Sequence, residues 1–289
     1  MTATLPETHR QPPPAQQQEP PRSQAQMEPQ PVEEQEVVGG KLKGKVAIIT
    51  GGDSGIGRST AILFAKEGAD VCIVYLKENE DADKTVARIK ELGRRAIKQA
   101  GDLGDPEFCE EVVEETINAF GQIDILVNNA GEQESSGGIE SLEPERVERI
   151  FRTNIFAFFY LTKAVLPHLK EGSVIINTTS IQAYDPSPHL MDYACTKAAI
   201  LNFTRSLAKE LAEKKIRVNA VAPGPIWTPL IPTTFKPEEL KTFGQKTLFK
   251  RPGQPAEVAP AFLFLAAEAD SSFITGQVIH VNGGQGMYS

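Results

Sequence analysis

Cysteine and histidine are scarce in this chain. Its 289 residues include only three cysteines and four histidines. The cysteines are scattered and odd in number, which argues against a disulfide framework and suits a reducing, cytoplasmic location. The histidines lack metal-ligand spacing, so we expect no metal site. These residues are Cys72, Cys109, Cys195, His9, His168, His189 and His280.

Long apolar runs and basic blocks are also missing. No apolar stretch reaches the roughly 18 residues that a membrane-spanning helix needs, so we expect none. The formal net charge is −8, from 30 basic and 38 acidic residues. An acidic chain of this kind is poorly suited to nucleic acid or an anionic membrane surface. We therefore expect neither as a partner.

The N-terminal residues 1–40 have few large apolar side chains and are rich in proline and glutamine. Such a segment cannot bury enough apolar surface to offset its ordering entropy, so we predict a disordered arm. It has no apolar core segment and it carries acidic residues, which argues against a secretory signal or transit peptide. The alternative is that the arm docks on a neighbouring subunit through Val37 and Val38.

Over residues 41–289, short apolar segments alternate with helical patterns. The first strand is predicted over Lys45–Thr50, and a long helical stretch over about Pro144–Leu169. Strands that are apolar throughout and alternate with helices are typical of a parallel sheet covered on both faces. No linker interrupts the alternation. The sequence therefore predicts one α/β domain with a doubly wound, Rossmann-type, seven-stranded parallel sheet.

A glycine-rich turn follows the first predicted strand. Gly51, Gly55 and Gly57 lie between that strand and the start of the next helix. Glycine lets the backbone approach a pyrophosphate, and a helix N-terminus offers free N–H groups and a partial positive charge. A tight turn without a ligand uses the same residues, so the glycines alone leave a purely structural interpretation open.

A second group of reactive side chains lies in the C-terminal half. Tyr193 comes thirteen residues after Ser180, and Lys197 four residues after Tyr193. On a helix Tyr193 and Lys197 share a face. A phenol has a pKa of ~10, and a nearby cation lowers it toward the range in which the phenol can exchange a proton. This spacing is common by chance, but together with the glycine turn it indicates hydride transfer between a nicotinamide and a carbonyl or alcohol.

With these motifs the chain resembles the short-chain dehydrogenase/reductase family over about residues 41–285. The glycine turn resembles the family's cofactor motif, and residues 128–131 match its N-N-A-G motif. The resemblance implies a nicotinamide cofactor. The positions that it implies for cofactor binding are Thr50, Gly51, Ser54, Gly55, Ile56, Gly57, Tyr75, Lys77, Asp102, Leu103, Asn129, Ala130, Gly131, Tyr193, Lys197, Pro223, Gly224, Ile226 and Thr228.

The same resemblance implies four catalytic residues, all present here. Tyr193 is the acid or base, and Lys197 lowers its pKa and holds the nicotinamide ribose. Ser180 hydrogen-bonds the substrate oxygen, and Asn154 anchors a water relay. The resemblance also implies a homotetramer in which the helices around Pro144–Leu169 and after Tyr193 pair between subunits.

The choice between NAD and NADP depends on the end of the second strand. Family members that use NAD usually carry an acid there, to bind the ribose 2′-hydroxyl. This chain has Tyr75 at that position, with Lys77 and Arg58 placed to neutralise a 2′-phosphate. However, Ser54 stands where many NADP enzymes carry a basic residue. The balance favours NADP.

The segment after Gly224 is apolar and proline-rich, and it lies where the family has its mobile substrate lid. Trp227 either packs within this lid or forms a pocket wall. The N-terminal extension and Asp185–Pro188 resemble bacterial general-stress oxidoreductases, aldehyde reductases and plant glucose and ribitol dehydrogenase homologues. The expected substrate is a small aldehyde, ketone, sugar or polyol. A non-catalytic dinucleotide-binding regulator and a stress-associated interaction protein are the alternatives.

Overall fold

Seven short segments, most of them apolar throughout, form the strands of the sheet. A computed structural model describes Pro14, Gln16, Gln17, residues 24–31 and residues 40–286. The strands are β1 (Val46–Thr50), β2 (Asp70–Tyr75), β3 (Ala96–Ala100), β4 (Ile125–Asn128), β5 (Val174–Thr178), β6 (Arg217–Pro223) and β7 (Val278–Val281). Every pairing is parallel, in the order β3-β2-β1-β4-β5-β6-β7.

Helices connect these strands and cover both faces of the sheet. The strands are rich in β-branched residues, and the segments between them contain residues that favour helices, as the alternating pattern predicts. The helices are α1 (Gly55–Lys66), α2 (Asn79–Glu91), α3 (Pro106–Phe120), α4 (Pro144–Phe151), α5 (Ala157–Val165), α6 (Met191–Leu211), α7 (Leu230–Thr234), α8 (Pro237–Leu240), α9 (Pro255–Ala266) and α10 (Glu268–Ser271).

Successive residues of each strand point to opposite faces, so one strand supplies two cores. On one face, Ile49 and Ile73 pack with Phe64 of α1 and Phe262 of α9. On the other face, Ile48 packs with buried apolar side chains of α3, α5 and α6. Burial of each large apolar side chain contributes about 1.5–3 kcal/mol. The predicted doubly wound parallel sheet is confirmed.

The predicted helical stretch over Pro144–Leu169 is helical but not uniform. Between α4 and α5, residues Arg152–Phe156 form a turn of π-helix. A π turn inserts an extra residue into the hydrogen-bond ladder, and such turns are frequent at functional sites. Here the π turn contains Asn154, one of the four residues expected in the active site.

The structure describes part of the N-terminal arm. Gln24–Gln26 form a turn of 3-10 helix, and the side chains of Gln24 and Met27 are each only 2% exposed. Residues 24–31 therefore make contacts with the domain that average composition does not reveal, and the disorder expected over residues 1–40 stays a prediction. Val37 and Val38, on which the alternative docking hypothesis rests, lie outside the described residues.

Candidate active site

The glycine turn between β1 and α1 has a geometry that only glycine accommodates. Gly51 and Gly55 have φ values of 63° and 52°, in the left-handed region. A Cβ atom on Gly57 would lie 2.0 Å from the carbonyl oxygen of Gly51. The turn therefore brings bare backbone close to the start of α1, whose first amide groups have no intrahelical acceptor. This arrangement fits a bound pyrophosphate.

The end of β4 is joined to the end of β1 through one hydroxyl group. The Thr50 Oγ1 atom accepts hydrogen bonds from the backbone N–H groups of Asn129 (2.8 Å) and Ala130 (2.9 Å). The Asn129 side chain donates to the Thr50 carbonyl oxygen at 3.0 Å. Asn128 points into the core, where its amide donates to Asn177 Oδ1 at 3.0 Å. The N-N-A-G motif thus holds the carboxyl ends of β1 and β4 together, and the cleft between the two halves of the sheet lies beyond these strand ends.

The residues expected near the adenosine lie at the ends of β2 and β3. The buried Tyr75 hydroxyl donates to Asn79 Oδ1 at 2.6 Å, whereas Lys77 is exposed. The exposed Asp102 carboxylate accepts from the Gly104 backbone at 2.8 Å, and Leu103 packs against the core on the α3 side. All of these positions open on the same edge of the sheet as the glycine turn.

Arg58 does not take the role that its position suggests. Its guanidinium donates to the Asp53 carbonyl oxygen (2.8 Å), the Thr85 hydroxyl (3.0 Å) and the Asp81 carbonyl oxygen (2.8 Å). It also forms an ion pair with the Asp81 carboxylate at 3.2 Å, and the residue is 5% exposed. Arg58 therefore ties α1 to α2 and is not available to neutralise a 2′-phosphate. Lys77 is exposed two residues after β2, and Lys98 lies with its Nζ atom 5.8 Å from the centre of the Tyr75 ring.

The segment after β6 closes the opposite side of the cleft. A Cβ atom on Gly55 would lie 3.1 Å from Thr228 Cγ2, so this segment touches the start of α1. A Cβ atom on Gly224 would lie 2.7 Å from Asn282 Cα, so the chain leaves β6 tightly packed. Ile226, 5% exposed, is bridged to Gly253. These contacts hold the segment that contains Pro223, Gly224, Ile226 and Thr228 beside the glycine turn.

Ser180, Tyr193 and Lys197 come together at the end of β5. Ser180 begins the short 3-10 turn after this strand, and its hydroxyl accepts from the Gln182 backbone at 3.1 Å. The Ser180 side chain is near enough to the Tyr193 hydroxyl to act on the pKa of the phenol. The Lys197 Nζ atom lies 5.3 Å from the centre of the Tyr193 ring and donates to the Thr178 carbonyl oxygen at 3.0 Å.

Burial dominates the electrostatics of this pair. Burial raises the pKa of Tyr193 to about 12, and the neighbouring Ser180 side chain acts in the opposite, lowering direction. Burial likewise lowers the pKa of Lys197 to about 7. The sequence-based expectation of a lowered phenol pKa is not met in the protein alone, because desolvation disfavours both charged forms. The phenol therefore keeps its proton at neutral pH and can donate it to a bound oxygen.

Asn154 is held rigidly beside this pair. Its Oδ1 atom accepts from the Glu132 backbone at 2.8 Å, and its Nδ2 atom donates to the Glu132 carbonyl oxygen (2.9 Å) and the Thr196 hydroxyl (3.1 Å). A Cβ atom on Gly131 would lie 3.4 Å from Asn154 Oδ1 and 3.5 Å from Lys197 Nζ. The residues expected to bind cofactor and those expected to catalyse therefore meet at Gly131.

Sequence reasoning missed an ion pair that holds the start of α6. The Arg146 Nε atom of α4 donates to Asp192 Oδ2 at 2.9 Å, and Asp192 Oδ1 accepts from the Tyr193 backbone at 2.9 Å. Arg146 also donates to the carbonyl oxygens of Glu134 and Ser135, in the loop after β4. Asp192 is adjacent to the Y-x-x-x-K motif, but no sequence signal connects it to Arg146 forty-six residues earlier.

Trp227 is packed inside the segment that follows β6 (residues 225–240), which is called the lid below. It is 1% exposed and forms a cluster with Ile231, Leu240 and Met27. Of the two interpretations that the sequence leaves open, the structure supports lid packing.

No group of three or more His, Cys, Asp or Glu side chains within the described part of the chain is arranged to hold a metal ion. None of its helices combines the length and the apolar character needed to cross a membrane.

Comparison with known proteins gives consistent matches over the whole domain. The family model described as enoyl-(acyl carrier protein) reductase matches residues 51–285. NADPH-dependent aldehyde reductase 1 of Arabidopsis thaliana is 56% identical over 84% of this chain and 87% of its own. General stress protein 39 of Bacillus subtilis is 53% identical (91% and 93%), and the glucose and ribitol dehydrogenase of Daucus carota 52% identical (84% and 86%).

Comparison with solved structures also gives matches over most of the chain. A short-chain dehydrogenase of Burkholderia cenocepacia in complex with NADP is 34% identical, with a TM-score of 0.80 over 85% of this chain and 99% of that one. A 3-ketoacyl-(acyl-carrier-protein) reductase of Brucella melitensis complexed with NADH is 35% identical, with a TM-score of 0.78 over 84% and 99%.

The buried Lys197 predicts how stability depends on pH. Its folded pKa of about 7 lies below the ordinary 10.5, so between these values the unfolded chain binds more protons than the folded one. Stability therefore rises with pH in this window, by up to about 1.4 kcal/mol per pH unit, and is lost as pH falls toward 7. We expect Lys197→Met, without cofactor, to melt above wild type at pH 6.5 and to lose most of that advantage by pH 9.5.

The matched control is Lys209→Met, since Lys209 is exposed on the same helix. Its melting temperature should track that of wild type across the whole range. A difference between Lys197→Met and wild type that stays constant with pH would contradict a desolvated lysine.

Proposed function

Because the chain belongs to the short-chain dehydrogenase/reductase family and is an NAD(P)-dependent oxidoreductase, we propose that it reduces small aldehydes to alcohols with NADPH. The observation that carries the proposal is the buried phenol of Tyr193, which lies near the Ser180 side chain and has Lys197 Nζ 5.3 Å from its ring centre. The 56% identity to an NADPH-dependent aldehyde reductase supports the substrate class. Oxidation of a sugar or polyol is the second candidate, favoured by the 52% identity to a glucose and ribitol dehydrogenase.

The proposed roles follow from the positions of the side chains. The cofactor, when bound, supplies the hydride. Ser180 donates a hydrogen bond to the carbonyl oxygen, and Tyr193 transfers its hydroxyl proton to that oxygen as the alcohol forms. A pKa of about 12 suits this direction, since the acid must be protonated before it acts. Alcohol oxidation would run the same proton transfer in reverse, with the phenolate as base.

Lys197 and Asn154 would act around the phenol. The Lys197 ammonium is placed to hold the cofactor ribose, and the negative charges of the cofactor would favour its protonated form. A protonated Lys197 then stabilises the phenolate that remains after proton transfer. The Asn154 amide is hydrogen-bonded to the Glu132 backbone and to the Thr196 hydroxyl, so it links the loop after β4 to α6. In this position Asn154 would anchor a water relay.

The test is turnover of a panel of small aldehydes, sugars and polyols, each with NADPH and NADH in parallel. We expect aldehyde reduction with NADPH, and a loss of about 100-fold or more in kcat for Tyr193→Phe, because general acid catalysis contributes ~10²–10⁴-fold. The matched control is Tyr184→Phe, since Tyr184 also follows Ser180 but its ring packs against His280. No turnover of any substrate would favour a non-catalytic regulator or interaction protein.

We also propose that NADP is the preferred cofactor and that Lys77 recognises its 2′-phosphate. Tyr75 stands at the position of the acid that would bind a ribose 2′-hydroxyl. The Arg58 guanidinium is already in an ion pair with the Asp81 carboxylate. Lys77→Ala should raise the KM for NADPH by about tenfold or more, since a hydrogen bond to a charged group is worth about 1.5 kcal/mol or more. The KM for NADH should be unchanged. An equal effect on both cofactors would remove Lys77 from 2′-phosphate recognition.

We propose a homotetramer in the cytoplasm. Phe156 and Phe159 are 41% and 53% exposed, and Phe159 packs on Phe203 of α6 at 4.5 Å between ring centres. A second copy would cover this surface, as the family's helix pairing implies. Light scattering at micromolar concentration should give four times the chain mass, and Phe159→Asp should lower it. Ile139→Asp, at another exposed apolar residue, is the control that should leave the mass unchanged.

A further inference from the structure

The described part of the N-terminal arm has its first anchor on the glycine turn. The Gln24 Oε1 atom accepts from the Gly55 backbone N–H at 2.8 Å. The Gln24 backbone N–H donates to Asp81 Oδ2 at 2.9 Å. The residue is 2% exposed, so both bonds are shielded from water. This anchor therefore joins the arm to the first residue of α1 and to the first turn of α2.

The second anchor is on the lid that follows β6. The indole N–H of Trp227 donates to the Pro29 carbonyl oxygen at 2.9 Å. Met27, also 2% exposed, packs with Trp227, Ile231 and Leu240. The arm thus contributes a side chain to the small apolar core of the lid.

The two anchors lie on opposite sides of the cleft. In an open α/β sheet, ligands bind beyond the carboxyl ends of the strands, where the strand order reverses. That point here is between β1 and β4. Gly55 and Asp81 follow strands on one side of it, and Trp227 follows β6 on the other. Residues 24–29 therefore connect the two walls between which the cofactor must bind.

We propose that residues 24–31 are a strap that closes the cofactor cleft, with Gln24 and Met27 as positioning residues. Gln24 fixes the strap to the phosphate-binding turn, and Met27 and Pro29 hold Trp227. The next residue, Thr228, belongs to the segment expected beside the nicotinamide. Release of the cofactor then requires the strap to lift. The inference rests on the cofactor that the family uses and not on the aldehyde substrate.

A competing arrangement would have the opposite effect. The Gln24 amide oxygen is an acceptor at a helix start, as a phosphate oxygen would be, so the strap could compete with the cofactor for Gly55. We favour closure for two reasons. A neutral amide is a weaker acceptor than a charged phosphate and uses only one N–H group. The Met27 anchor also lies on the lid, away from the phosphate turn.

The experiment measures how fast reduced cofactor leaves the full-length protein. Trp227 is the only tryptophan of the chain, so its emission reports both the lid and energy transfer to NADPH or NADH. The reduced cofactor is NADPH or NADH, whichever binds wild type more tightly. In stopped flow, an excess of the corresponding oxidised cofactor displaces it. No substrate turns over, so failure of the aldehyde proposal leaves this measurement intact.

We expect Gln24→Ala and Met27→Ala each to speed dissociation by roughly threefold to tenfold, since a net hydrogen bond or partial apolar contact is worth about 0.5–1.5 kcal/mol. Gln26→Ala, exposed on the same 3-10 turn, should match wild type. Met27→Ala should also shift Trp227 emission toward longer wavelength, as water reaches the indole.

Dissociation that is unchanged in both variants overturns the proposal. Slower dissociation or tighter binding in Gln24→Ala overturns it in favour of competition for Gly55. Melting curves show whether each variant is folded. Gln24→Ala removes no apolar packing, so it remains decisive if Met27→Ala disturbs the lid.

Discussion

The site depends on the reversal of strand order between β1 and β4. Strands added after β1 extend the sheet in one direction as far as β3, and strands from β4 onward extend it in the other. The loops leaving β1 and β4 therefore turn to opposite faces, which opens a cleft between them. The Thr50 hydroxyl holds the two strand ends together by accepting from Asn129 and Ala130. One small side chain thus fixes the distance between the glycine turn and Gly131, beside which Asn154 and Lys197 lie.

Burial at this point has opposite consequences for stability and for chemistry. The Lys197 ammonium is desolvated and has no carboxylate partner among the contacts of the described chain, so it costs folding free energy below its ordinary pKa. The same desolvation strengthens its attraction for any negative charge that enters the cleft. Tyr193 shows the complementary effect, because its pKa of about 12 keeps the phenol protonated until a substrate oxygen receives the proton. Such compromises between stability and activity are common in active sites.

Much of this architecture can be predicted from sequence, because it depends on local patterns. Apolar strands, glycines with positive φ and the i, i+4 pair of Tyr193 and Lys197 are each specified within a few residues. The π turn at Asn154 was not predicted, since it shifts the helical ladder by one residue without changing the apolar pattern. The Arg146–Asp192 ion pair was missed because it joins segments far apart in the chain. The contacts of Arg58 are hard to predict for a similar reason: besides the Asp53 carbonyl oxygen, its partners Asp81 and Thr85 lie on α2, 23 and 27 residues further along the chain.

The N-terminal arm shows where composition stops being informative. Averaged over residues 1–40, the apolar content is too low for independent folding, which predicts disorder. That prediction assumes that the arm has to build its own core. The lid after β6 already presents Trp227, Ile231 and Leu240, and Met27 only has to complete that cluster. Ordering a residue costs about 1–2 kcal/mol of backbone entropy. A short segment can offset this cost when it is hydrogen-bonded at both ends, as Gln24 and Pro29 are, and buries a side chain between them, as Met27 is buried. A segment of marginal stability, anchored across a cleft, can open and close with the ligand that the cleft admits.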